Sequence, residues 1–282
     1  MRRALAACMG IWLVSVGTAA AQQRPLVTED PETIGSGLVL FEGGIDLQRE
    51  VFYPASGLQG NLLRLPVLGL SFGLSSIAEI QIDGGFYNRL SVTSRREAPL
   101  SSLLDFTGDR TTDVEDIVVG TKVRLVSERA GRPAIGLRFV TKLPNAGNES
   151  GLGLDTTDFF VSVLVGKTVQ SIRIVGNAGL GILPDPTIGH RQNDVLTYGL
   201  SIARAIRQGV EVVGEVNGRA NTRGDEDTPP GTESRANMRA GARFTRGTVR
   251  VDAGVIVGMT SRDPSIGFTT GLTWVFRGFS IP

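Results

Sequence analysis

The run Gly69-Leu70-Ser71-Phe72-Gly73 has the Gly-x-Ser-x-Gly spacing that lifts a nucleophilic serine out of a strand, and Asp155 or Asp158 and then His190 follow in an order that hydrolases of this kind use. That chemistry needs a strand, a sharp turn and then a helix. Ser71 instead falls late in an alternating apolar/polar run with no helical period after it, so the motif is expected to be coincidental. His190 is the only histidine and sits in Gly189-His190-Arg191, a loop context. One imidazole does not build a zinc site of three or four ligands. The acidic sets Asp105, Asp109, Asp113 and Asp225-Glu226-Asp227 carry donors for a divalent cation, yet a solvated acidic loop is the commoner reason for such residues. The glycines between Gly176 and Gly181 open no helix, so they suit a strand better than a phosphate cradle. The expectation is a protein that is not an enzyme, with no catalytic residue, no metal site and no cofactor.

The charged residues inside the alternating runs are more informative. From Val249 to Val257 the odd positions are apolar, while Arg250 and Asp252 lie on the other face. Ile266, Phe268, Leu272, Trp274 and Phe276 share a face. Val39, Phe41, Ile45 and Leu47 oppose Glu42, Gly44, Asp46 and Glu50. Ile135, Leu137, Phe139 and Leu143 oppose Arg138 and Lys142, and Ile117, Val119 and Val123 oppose Lys122 and Arg124.

These residues must be positioned by strands. The pattern predicts twelve, over 37–52, 61–73, 77–91, 115–126, 133–143, 158–169, 171–183, 194–207, 209–220, 234–246, 248–259 and 265–278. Short connections fall at 75–76, 128–132, 170–171, 208–209 and 246–247. Longer polar ones fall at 54–60, 92–114, 144–157, 184–193, 221–233 and 260–264. Short and long alternate along the chain, as in an all-β, transmembrane up-and-down antiparallel β-barrel of about 12 strands, with turns on one side and loops on the other. A water-soluble sandwich would show the same alternation with its apolar face turned inward.

In a barrel the charged face lines the lumen. The lumen candidates are then the acids Glu42, Asp46, Glu79, Asp83, Glu211, Glu215 and Asp252, and the bases Lys122, Arg124, Arg138, Lys142, Arg173, Arg235, Arg239, Arg243 and Arg250. Acids gather on the first, third and ninth strands; bases gather on the fourth, fifth, tenth and eleventh. Such charges either pair into ladders that stiffen the barrel or form opposed walls of a selective path. Twelve strands lie between a barrel filled by side chains and one with a wide water channel, so a narrow lumen is expected. The 22–36 segment and the 92–114 loop are the candidate plugs.

Arg2 and Arg3, the apolar run Ala4 to Gly17 and Thr18-Ala19-Ala20-Ala21 read as a secretory signal, residues 1–21, with the mature chain starting near Gln22. Residues 22–36 form a periplasmic lead-in or plug, and 37–282 the barrel. Cys8, the only cysteine, would be lost with the signal, which excludes a disulfide framework. Removing Arg2 and Arg3 takes 29 basic residues to 27, against 28 acidic ones, a balance that points away from nucleic acid. The mean hydropathy of +0.06 fits a barrel in which every second strand residue faces lipid. The expected location is the bacterial outer membrane. Its expected partners are outer-membrane lipid and a small-molecule permeant, with the oligomeric state open.

Four segments resemble the outer-membrane family associated with the meta-pathway of phenol degradation, usually described as transporters. They are Arg24-Pro25-Leu26-Val27-Thr28-Glu29-Asp30 through Thr33, Asp116 to Leu125, Leu137 to Pro144 with Gly151-Leu152-Gly153, and Asn177-Ala178-Gly179-Leu180-Gly181. The resemblance implies an outer-membrane barrel that passes small compounds, aromatic ones among the candidates, and supplies no catalytic residue. The chain departs from a common barrel ending by running past Phe276 and Phe279 to Pro282. The expected function is passive passage of small molecules. The alternative is a non-conducting structural or surface-interaction barrel acting through loops 92–114 and 221–233.

Overall fold

The computed structural model describes residues 24–224 and 227–280. The expected signal at 1–21, the acids Asp225 and Glu226, and Pro282 lie outside the described residues. Fourteen strand segments follow one another: β1 (Leu38–Tyr53), β2 (Leu58–Gly73), β3 (Ala78–Gly85), β4 (Asn88–Arg95), β5 (Arg110–Asp113), β6 (Val118–Val126), β7 (Ala134–Lys142), β8 (Asp158–Val169), β9 (Ile172–Pro184), β10 (Gln192–Arg207), β11 (Val210–Asn221), β12 (Arg235–Arg246), β13 (Val249–Gly258) and β14 (Ile266–Arg277). β2 pairs with β3 along one half and with β4 along the other, while β3 pairs with β6 and β4 with β5. β3–β4 and β5–β6 are thus two interrupted staves, and the staves number twelve. All pairings are antiparallel. β1 bonds both β2 and β14, which closes the ring, and at the loop end β5 pairs with β4 alone.

Burial separates the barrel from the soluble sandwich. Lys122 and Glu79 are 0% exposed, whereas Phe139, Leu180 and Phe268 are 51%, 52% and 53% exposed. In a sandwich the apolar face would be the core. Here it is the outer surface, all round the ring, which suits hydrocarbon rather than water.

From β7 to β14 the wall has a single register shift, between Ala205 and Arg207, whereas from β1 to β6 it is broken repeatedly. Between Gly44↔Val67 and Asp46↔Arg64, β2 carries one extra residue beside Leu65-Pro66, and the inward positions shift from the Gly69 set to the Arg64 set. Phe86 and Tyr87 separate β3 from β4 and point outward, with Leu65 N–H bonding Tyr87 O at 2.9 Å. A second bulge, between Gln48 and Val51, leaves Glu50 exposed at φ +56° and turns Val51 inward. Glu50 therefore does not continue the Glu42–Asp46 face, because a bulge inserts one residue and reverses the parity beyond it.

The first long connection shrinks to 54–57. β2 already pairs with β1 at Tyr53↔Leu58, and Gly57 takes the positive φ of the turn. The 92–114 loop shrinks likewise, because Asn88–Ser91 bonds Arg110–Asp113. Beyond the breaks Val51, Leu58, Leu62 and Leu90 face inward and pack with Leu104, Phe106 and Leu152 from two loops. Loop contacts such as Ser56 Oγ to Gly151 O at 2.8 Å hold that cluster down. The loop end of the bore is therefore apolar and filled on the β1–β4 side. The last stave ends at Arg277, after which Gly278 N–H bonds Gly37 O at 3.0 Å.

Candidate permeation path

The inward charges do not face an empty lumen, because residues 24–34 run through it. Arg24 donates to Thr269 Oγ1 and Thr270 O, both at 2.9 Å, and lies 3.6 Å from Asp252 and 3.9 Å from Asp46. Its carbonyl accepts from Arg243 Nε at 2.7 Å. The backbone N–H groups of Val27 and Thr28 donate to the Glu215 carboxylate at 2.9 and 2.8 Å. Glu29 meets Lys122 at 2.7 Å and Arg138 at 3.5 Å, and its backbone exchanges two 2.7 Å bonds with the Asn177 amide. Arg173 grips Asp30 with two bonds, 2.6 and 2.8 Å. Glu32 pairs with Arg124, and Ile34 N–H donates to Glu79 at 2.8 Å.

The charges of this segment complement the walls. The acidic wall of β1 and β13 receives Arg24. The basic wall of β6, β7 and β9 receives Glu29, Asp30 and Glu32. A buried charge is tolerated when a counter-charge and hydrogen bonds surround it, and Lys122 between Glu29 and Glu79, the latter at 2.9 Å, meets that condition. Wall glycines make room for the thread. A Cβ at Gly44 or Gly271 would overlap the Arg24 guanidinium, and one at Gly136 or Gly166 would press on Pro31.

The remaining candidates pair within the wall. Asp83 lies 3.6 Å from Arg138, and Glu42 accepts from Thr273 Oγ1 at 3.1 Å. Arg239 reaches Glu215 at 3.6 Å, and Glu211 sits 3.9 Å from Arg243 and 3.6 Å from Arg250. Lys142 belongs to a separate group near the loops, with Asp116 at 2.7 Å and Asp158 at 3.3 Å. Sequence reasoning missed Arg24, Glu29, Asp30 and Glu32, which lie in a segment without periodicity. It also missed Arg64, which pairs with Asp46 and Glu115 across the break in β2. Arg219 was within reach: it follows Glu211 and Glu215 at the same four-residue interval.

Ser71 lies near the turn end of β2, and His190 on an exposed loop at the opposite end of the ring. The topology keeps a serine–histidine pair apart.

On the loop side of Val27 and Thr28 the bore opens into a cavity of about 330 Å³. Arg219, Arg235, Asn217, Asn237, Asn177 and Tyr198 contribute to its lining. This is a space of mixed polar and apolar lining with two arginines on it, of the kind from which a solute path through a barrel is made.

Among solved structures, the chain is similar to an outer membrane channel from Pseudomonas putida F1, with a TM-score of 0.61 and 14% identity, covering 88% of this chain and 98% of that one. It is similar to the NanC porin, with a TM-score of 0.52 and 9% identity over 84% and 98% of the two chains. It is also similar to the translocator domain of the autotransporter NalP from Neisseria meningitidis, with a TM-score of 0.50 and 12% identity over 86% and 89%. At these identities the common property is the barrel. No protein-family model matches the chain, and no curated protein matches it.

Proposed function

We propose that the protein is a bacterial outer-membrane channel through which small molecules pass down their own gradient, without catalysis. Lipid contacts its outer face, and the permeant is its partner inside. The observation that carries the reading is the arginine-lined cavity inside the ring, floored by the threaded segment. Opposed charged walls favour solutes by width and charge, as pores do. The likeness to structures named as a channel and a porin supports the role, and the resemblance to the phenol-degradation family supports aromatic compounds as candidates. Single-channel recording of the refolded chain from Gln22 onward tests it: discrete current steps are expected, and silence from a folded barrel overturns it.

A second reading has its own support. The segment from Arg24 to Ile34 is stitched to walls on several sides of the bore, as a non-conducting structural barrel would require. In that case removing the segment changes stability and leaves the bilayer silent.

A further inference from the structure

We propose that the cavity beneath the loops is a binding site for a small organic carboxylate, held by Arg219 and Arg235. This rests on the channel reading for its place in transport, but the binding stands by itself. The two arginines are direct register partners on β11 and β12, and both line the cavity. Like charges placed opposite each other in a sheet repel. Neither forms an ion pair among the described residues. Arg219 donates only to the carbonyls of Glu233 at 2.9 Å and Gly231 at 2.5 Å; Arg235 donates only to those of Arg262 at 2.9 Å and Phe52 at 3.0 Å.

The acids that act on Arg219 from further away each have donors of their own. Asp158 takes Lys142 at 3.3 Å and Thr156 at 3.2 Å, Asp263 takes Ala236 N–H at 2.9 Å and Thr260 Oγ1 at 2.6 Å, and Glu233 takes Gly231 N–H at 3.1 Å. These acids keep their negative charge, yet none stands within ion-pair distance of either guanidinium, so the two arginines line the cavity with backbone carbonyls as their only close partners. Two further atoms lining it await partners: Thr28 Oγ1, on a side chain only 6% exposed, and Asn237 Oδ1. The paired guanidiniums match a carboxylate, and the Thr28 hydroxyl can donate to one as well. The volume lies at the small end of ligand pockets, which begin at about 300 Å³.

The probes are sodium benzoate and its uncharged counterpart benzyl alcohol. Calorimetry on the detergent-folded chain reads binding, and planar-bilayer recording of the same protein reads current. Benzoate should bind at least about tenfold more tightly than benzyl alcohol, and Arg219→Gln or Arg235→Gln should remove about that factor for benzoate alone. Equal affinity for the two probes, or unchanged benzoate binding in both variants, overturns the proposal. Current without preferential benzoate binding sinks the carboxylate site and leaves the channel standing. Benzoate binding without current does the reverse. A heat-dependent shift in electrophoretic mobility shows whether each variant folds. If neither does, the ratio of the two probes on the unaltered chain decides.

Discussion

Lys122 and Arg219 are both cations on the inner face of the same ring, and they are satisfied in different ways. Lys122 is sealed between Glu29 and Glu79, one of which arrives on the threaded segment. Arg219 rests on backbone carbonyls beside a second arginine, with a cavity in front of it. The comparison teaches that charge inside a barrel has no single meaning. Where the chain brings its own counter-ion, the charge is structural. Where it brings none, the charge is available to a solute.

The strongest way to break this contrast is to remove the counter-ions. A chain lacking residues 22–34 should give bilayer current steps several-fold larger than the full chain, because the thread no longer fills the bore; equal steps would mean that the segment leaves the path open. Next, Lys122→Met should cost about 3–5 kcal/mol of barrel stability, since it takes the ion pair from buried Glu79 and leaves Glu29 with Arg138. Denaturant-dependent loss of the heat-modifiable band measures this, and a cost under about 1 kcal/mol would contradict the sealed ion pair. Arg219→Gln sharpens the opposite side. It gives up bonds to carbonyls but relieves a like-charge pair, so stability should change by about 1 kcal/mol or less while the preference for anions over cations falls. The reversal potential under a salt gradient reads that preference. Smallest is His190→Ala on its exposed loop: stability should stay within about 0.5 kcal/mol and conductance should not move. A lost activity there would reopen the hydrolase.

Much of the ring was legible because a half-buried strand writes its period into the chain. Val249 to Val257 and Ile266 to Phe276 alternate with Ile256, Thr270 and Val275 as the exceptions, and β13 and β14 form where they do. The breaks were harder to read. Phe86-Tyr87 and Leu65-Pro66 sit in apolar surroundings that continue the pattern locally, and only the pairing of β2 with two different segments shows the interruption. Glu50 shows the same limit: a single inserted residue reverses a face while the residue types stay ordinary. The wall charges could be identified from parity. Their partners could not, since Asp30 and Arg173 meet only when the chain folds back through its own ring.

Arg24 has one consequence of another kind. Its guanidinium bonds Thr269 and Thr270 on β14 and reaches Asp46 on β1, the two staves that close the ring. The start of the described chain therefore clasps the seam where the end of the chain meets the first strand. Occupancy of the bore and integrity of the seam are linked, and linkage is reciprocal. Whatever draws the thread out loosens the closure, and whatever strains the closure eases the thread out. The order of assembly follows the same logic: a ring that shuts with Arg24 inside is latched, and one that shuts without it lacks that latch.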